Sequence, residues 1–434
     1  MGRTLEIAPC RTFQGEPRLP GDKSISHRAL LLAALAEGTS RITGLATGWD
    51  ILATREALRR FGVAIDLGSE TAVTVGGVGG ARHLQEPAEP IPCLNSGTTA
   101  RLLAGIATGL PGLTILTGDA SLRQRPMRRI IEPLRETGAG LWGRAQDTRL
   151  PVCIQGRERL RPLHYRLPVP SAQVKSALLL AGLAAEGITT IEEPIPTRDH
   201  TETMLRAMGV DCRQEGTRIT LRGPGVPHAG DRLIPKDPSA GAVFAVGAAI
   251  HPGSQVVLRD LGLNPTRTGY LGILARMGAD IEVLHREEKD GEPIGDVVVR
   301  GRGLRGLDLE PADIPGLIDE IPLLAVAMAL AEGPSSVRGA EELRRKESDR
   351  LASLAQELQR FGLAITETPD GFKLPGGGRP IAPAWADTHG DHRIGLAVAI
   401  LATAATGTTL LREAQWIDVS FPGFEAELRR LARA

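Results

Sequence analysis

One arrangement recurs six times along the chain: an Ala/Leu-rich run, a Gly-containing turn, then a short β-like run. The copies are residues 29–44, 100–118, 176–194, 241–260, 323–339 and 395–413. With Gly38, Gly112, Gly187, Gly253, Gly333 and Gly407 as markers, successive spacings are 66 to 80 residues, too long for ordinary solenoid units. Between the copies a second segment recurs: a helix ending in Leu-Arg or a similar pair, a glycine, then two strand-like runs. Its glycines are Gly62, Gly138, Gly209, Gly278 and Gly362, placed where a helix end needs a left-handed residue. Each unit therefore reads helix–strand–helix–strand–strand, an α/β pattern.

A chain of 434 residues exceeds what one core usually supports, so two domains of three units each are expected. The Ala/Leu helices are apolar nearly all round, which predicts that they lie inside with sheets outside. Substrate is then expected to bind between the domains. Lys and Arg together number 51 and Asp and Glu 51, so the basic excess of a nucleic-acid or polybasic membrane binder is missing. Aromatics at 3% leave few stacking platforms. Cys10, Cys93, Cys153 and Cys212 form no Cys-x-x-Cys pair, which fits a reducing compartment. The N-terminal residues lack a signal-like apolar core, and the most apolar stretch, 394–411, is broken by threonines and Gly407. A cytoplasmic protein is expected.

Seven polar constellations punctuate this plan. In LPGDKSISHR (19–28), Lys23, Ser24 and Arg28 stand at a helix mouth, with Ser24 or Ser26 as the expected cap; free N–H groups and cations there favour an anion. The spacing is not that of a phosphate-binding P-loop. In CLNSGTTARLL (93–103), Asn95, Ser96 and Gly97 lead into a helix that Thr98 could cap. GDASLRQRPMRRI (118–130) holds Arg123, Arg125, Arg128 and Arg129, which repel unless anions or acids pair them. LPVPSAQVKSA (167–177) brings Ser171 and Gln173 to a helix mouth, and Arg198 follows in TRDHTE.

Asp319 and Glu320 precede an apolar helix, either as dipole partners or as a base beside cations. In ELRRKESDRL (342–351), Lys346 and Arg350 are like charges four apart with Glu347 between, so an anion would compensate them. Asp391, His392 and Arg393 head the sixth apolar helix, and His389-x-x-His392 is too small a set for a metal site. Only six lysines occur, at 23, 175, 236, 289, 346 and 373, and three fall in these constellations. Together they describe a cationic cleft for two anionic ligands, with Asp319 and Glu347 as available base and acid.

PGDKSISHR, NSGTTAR, RPM, SAQVKSA, KESDR and DHRI occur in an order that resembles the 3-phosphoshikimate 1-carboxyvinyltransferase (EPSP synthase) family essentially end to end. The resemblance implies a two-domain inside-out α/β barrel of six βαβαββ repeats. One domain would span residues 21–237 and the other 1–20 with 238–434, with the active site in the interdomain cleft. It implies enolpyruvyl transfer from phosphoenolpyruvate to the 5-hydroxyl of shikimate 3-phosphate, through a tetrahedral intermediate, with release of phosphate. No metal or other cofactor is demanded, because a C–O bond breaks and no phosphoryl group moves.

By matched position, Lys23, Ser24, Arg28, Ser171, Ala172, Gln173, Arg198, Asp319 and Lys346 would bind shikimate 3-phosphate. Lys23, Gly97, Arg125, Gln173, Arg350 and Arg393 would hold phosphoenolpyruvate. Asp319 would take the 5-hydroxyl proton and Glu347 would protonate the methylene carbon, with Lys23 also in the catalytic set. A monomer with small-molecule substrates, and neither nucleic acid nor membrane as partner, is expected. Two positions depart from many members: Ala172 replaces a serine, and Val419 stands where a lysine precedes Ser-Phe-Pro. Gly97 is the glycine that glyphosate-sensitive members keep. The nearest rival, UDP-N-acetylglucosamine enolpyruvyl transferase, typically has Lys-Asn at the first motif and a cysteine in the arginine loop; here Ser24 follows Lys23 and residues 118–130 hold no cysteine. A non-catalytic binder of phosphorylated metabolites would leave Asp319 and Glu347 unexplained.

Overall fold

A computed structural model describes residues 2–377, 381–383 and 385–433. The chain forms two compact units: one of residues 21–234 with 289–292, the other of residues 1–20, 235–288 and 293–434. Each has its own apolar core.

Six helices form the interiors: α1 (Lys23–Leu35), α2 (Gly97–Ala107) and α3 (Ala172–Gly182) in the first unit, α4 (Pro238–Ile250), α5 (Ile321–Leu330) and α6 (His392–Ala402) in the second. Their all-round apolar character has the predicted result. Every residue of α4 and α6 is buried, and Leu30, Leu31 and Leu32 of α1 are buried on three consecutive positions, which no one-sided surface helix could achieve. Small residues let the helices touch backbone to backbone. A Cβ on Gly105 of α2 would lie 2.1 Å from the carbonyl oxygen of Ala177 in α3, so no larger residue fits there.

Sheets cover the helices, and among the described residues one pairing scheme recurs. In residues 91–155, strand Ile91–Pro92 runs parallel to Leu113–Thr117, which pairs antiparallel with Arg149–Gln155, and that with Gly140–Gly143. Strands His164–Arg166, Gly187–Glu192, Arg218–Gly223 and Cys212–Glu215 repeat the scheme, as do 308–309, 335–337, 371–374 and 366–368. Inward and outward residues alternate along strands such as Arg149–Gln155 and Arg218–Gly223, because one face meets the helices and the other meets water. The five glycines expected at helix ends, 62, 138, 209, 278 and 362, all have φ between +79° and +112°. The fold is thus the inside-out α/β barrel, with helices within and sheets without. Among the described residues no helix is long and apolar enough to cross a membrane.

Candidate active site

Because the interior helices are apolar, polar chemistry collects at their N-terminal mouths, where backbone N–H groups need acceptors. The caps differ in part from the sequence expectation. Asp22, not Ser24 or Ser26, closes α1, accepting from Ile25 N at 2.8 Å; Ser26 is buried and accepts from Ala46 N instead. Ser96, not Thr98, closes α2 through Thr99 N. Ser171 closes α3 and Asp391 closes α6 through Arg393 N at 2.8 Å.

In the first unit Lys23 opens α1, and its Nζ donates to Asp50 Oδ2 at 3.0 Å. Arg28 is almost fully buried. Its Nε donates to Thr201 Oγ1 at 2.7 Å, Nη2 to Ser176 Oγ at 2.8 Å and Nη1 to the Ser24 carbonyl at 2.9 Å. At the mouth of α2 two guanidiniums face Gly97: a Cβ there would lie 3.1 Å from Arg101 Nη1 and 3.3 Å from Arg125 Nη1. Arg125 donates to Asn95 Oδ1, Arg101 donates to Gln173 Oε1, and Gln173 Nε2 donates to Thr98 Oγ1 at 3.1 Å. Gln173 thereby joins the mouths of α2 and α3 through Arg101 and Thr98, while Arg125 is held beside Gly97 through Asn95. Ala172 begins α3, and Arg198 is half-buried just before helix His200–Ala207.

A buried hydroxyl chain braces the mouths of α1 and α2. His27 Nδ1 lies 2.7 Å from Thr54 Oγ1, Thr54 Oγ1 lies 2.7 Å from Thr99 Oγ1, and Thr99 Oγ1 donates to Ser96 Oγ at 2.7 Å. Burial, with the Lys23 and Arg28 charges, holds the His27 imidazole well below the usual histidine range, so it is neutral at pH 7.

In the second unit one guanidinium organises the carboxylates. Arg350 is 2% exposed; its Nε donates to Asp391 Oδ2 at 2.7 Å, Nη1 to Asp319 Oδ1 at 3.2 Å and Nη2 to Glu347 Oε2 at 2.6 Å. Burial opposes its charge, but Asp391, Glu347 and Asp319 more than offset that, and the guanidinium pKa is raised. Arg393 Nη1 donates to Glu320 Oε1 at 3.4 Å, and its Nη2 lies 3.9 Å from Asp319 Oδ2. Burial lowers the Lys346 ammonium pKa, with Arg350 in the same direction, against Asp319, Glu342 and Glu347, which raise it. Lys346 and Arg350 do not share a helix face, as their spacing implied. Lys346 ends a short 3-10 turn over Glu341–Arg345, whereas Arg350 begins the helix Arg350–Arg360.

Some polar groups at these mouths are not evident from the sequence. Asp237 caps α4 through Ser239 N, Arg267 Nη2 donates to Asp237 and Ser239, and Ser239 donates to Glu320 Oε1. A signal does exist: Asp237-Pro-Ser239 opens α4 as Asp22-Lys-Ser24 opens α1. Arg101 lies inside NSGTTAR, where spacing alone assigns it no role. Val419, at the departure from the lysine pattern, is buried. His389, considered for metal, lies with Nε2 2.6 Å from Glu357 Oε1.

Such a molecule belongs to the class of α/β proteins whose helix mouths gather cations and carboxylates. Residues 7–428 match the sequence model of the family described as EPSP synthase (3-phosphoshikimate 1-carboxyvinyltransferase). A 3-phosphoshikimate 1-carboxyvinyltransferase of Synechococcus sp. (strain JA-3-3Ab) is 49% identical over 98% of this chain and 96% of its own length; one of Gloeobacter violaceus is 48% identical over 99% of each. A solved EPSP synthase of Acinetobacter baumannii superposes with a TM-score of 0.88 at 42% identity, covering 99% of this chain and 98% of that one. An enolpyruvyl transferase of Streptomyces tendae, 20% identical with a TM-score of 0.78 over 99% and 98%, shares the fold. The chain belongs to the EPSP synthase family.

Proposed function

We propose that the chain transfers the 1-carboxyvinyl group of phosphoenolpyruvate to the 5-hydroxyl of shikimate 3-phosphate. The new bond joins the 5-oxygen to C2 of phosphoenolpyruvate while C3 gains a proton; the proton is then lost as the C–O bond to phosphate breaks. Asp319 accepts the 5-hydroxyl proton and Glu347 protonates C3, each contributing ~10²–10⁴ in rate. Arg125, Arg350, Arg393, Lys23, Gln173 and the Gly97 backbone hold phosphoenolpyruvate. Lys23, Ser24, Arg28, Ser171, Ala172, Gln173, Arg198, Asp319 and Lys346 hold shikimate 3-phosphate. The domain division at residues 21–237, with both clusters serving one ligand pair, belongs to the same proposal, as do a monomer and a cytoplasmic location.

The observation that carries the assignment is Arg350 bonded to both Asp319 and Glu347. A strong cation beside two carboxylates keeps the acid and the base at a fixed spacing around a place where an anion can exchange onto the guanidinium. The test is release of inorganic phosphate from phosphoenolpyruvate, run in parallel with shikimate 3-phosphate and with UDP-N-acetylglucosamine. Release with shikimate 3-phosphate alone is expected; release with the nucleotide sugar alone would assign the rival activity, and none with either would assign a binder.

A further inference from the structure

The lysine inside α3 has no part in the reaction above. Lys175 is fully buried, and its Nζ lies 2.8 Å from Glu193 Oε1 and 2.8 Å from Glu202 Oε1, while donating to the Thr197 carbonyl at 3.3 Å. An ammonium and two carboxylates out of water are unfavourable unless closely paired, and an apolar side chain would fill the space more simply. Burial pushes the Glu202 carboxyl pKa up, against the pull of Lys175.

The three partners are the start, middle and end of one segment. Glu193 directly follows strand Gly187–Glu192, Thr197 lies midway, and Glu202 sits in the first turn of helix His200–Ala207. Glu193 also accepts from the backbone N–H and the hydroxyl of Thr197, the latter at 2.5 Å. Arg198 comes next in the chain. The neighbouring α3 residue completes the arrangement. Ser176 Oγ lies 2.7 Å from Thr201 Oγ1, and both hydroxyls accept from Arg28. Two consecutive residues of one rigid helix therefore fix the segment bearing Arg198 and the side chain of Arg28.

We propose that Lys175 is a positioning residue for shikimate 3-phosphate: by clamping residues 193–202 onto α3 it sets the spacing of Arg198 and Arg28, and it touches no substrate. This rests on the assignment of Arg198 and Arg28 as ligands of that substrate. The test measures Michaelis constants for both substrates, by phosphate release, in Lys175→Met, Arg198→Ala and the double variant. Lys175→Met is expected to raise the constant for shikimate 3-phosphate at least tenfold and that for phosphoenolpyruvate less than threefold. The double variant is expected to fall well short of the product of the single effects, because Lys175 works through Arg198. Equal shifts for both substrates, or full multiplication, would overturn the proposal. An Arg198→Ala enzyme with unchanged constants would instead overturn the ligand assignment on which it rests. If Lys175→Met does not fold, Glu202→Gln, which keeps shape and the Glu193 pair, carries the same test with an expected threefold or larger selective effect; no selective effect would overturn the proposal.

Discussion

Asp319 and Glu347 are bridged by Arg350: its Nη1 donates to one at 3.2 Å and its Nη2 to the other at 2.6 Å. The two groups assigned as base and acid are thus spaced by a planar, rigid fork whose third contact is Asp391, which is wholly buried. An Arg-to-Lys exchange at 350 could not preserve this, because an ammonium offers no second fixed direction.

Glu347→Gln removes the group proposed as the acid while keeping an acceptor for Arg350. Turnover is expected to fall at least a hundredfold, with shikimate 3-phosphate binding within about threefold of wild type. Phosphate-release kinetics with equilibrium binding by calorimetry decide it; near-normal turnover would refute the role.

Arg350→Met leaves the buried Asp391 without its guanidinium. Breaking a buried pair from one side typically costs ~3–5 kcal/mol, and a loss of that size is expected in urea unfolding. A loss under ~1 kcal/mol would mean that the carboxylates rearrange to water without penalty.

Gly97→Ala places a methyl 3.1 Å from Arg101 Nη1 and 3.3 Å from Arg125 Nη1, so at least one guanidinium must shift. The Michaelis constant for phosphoenolpyruvate is expected to rise, and inhibition by glyphosate, itself an expectation for the Gly97 protein, to be about tenfold or more weaker in the variant. The shikimate 3-phosphate constant stays within twofold. Steady-state inhibition assays at fixed shikimate 3-phosphate distinguish these outcomes.

His27 supplies a pH dependence. Its folded pKa lies well below 6.5, so as pH falls through 6.5 the unfolded chain takes up a proton that the folded chain does not. The stability held above that pH is lost toward the depressed folded pKa, with a slope approaching ~1.4 kcal/mol per pH unit. His27→Asn keeps a partner for Thr54 but does not titrate. Unfolding free energies of both proteins between pH 7.5 and 5.5 are expected to diverge in the direction of a flatter profile for the variant; parallel profiles would contradict the assignment.

Much of the fold, and the placing of the candidate site at helix mouths, is legible in the sequence because the interior helices advertise themselves. Runs such as ALLLAALA are too apolar for a surface, so their mouths have to carry the polar chemistry, and Lys23, Gly97, Ser171, Asp319 and Asp391 stand there. The hidden part depends on long-range pairing. Asp22 and Ser96 win the caps because Ser26 is drawn to Ala46 and Thr98 to Gln173, contacts that local spacing does not contain. The Lys346–Arg350 interval resembles one helical turn, yet a 3-10 segment ends before the helix starts. Arg267 is invisible because its partners Asp237 and Ser239 are about thirty positions away.

At Asp391 a helix cap and an ion-pair partner are one and the same carboxylate. One oxygen secures the backbone of α6 through Arg393 N while the other holds Arg350. Frame and charge pairing are therefore soldered together at this helix mouth: no replacement at 391 can retune the hold on Arg350 without also loosening the start of α6.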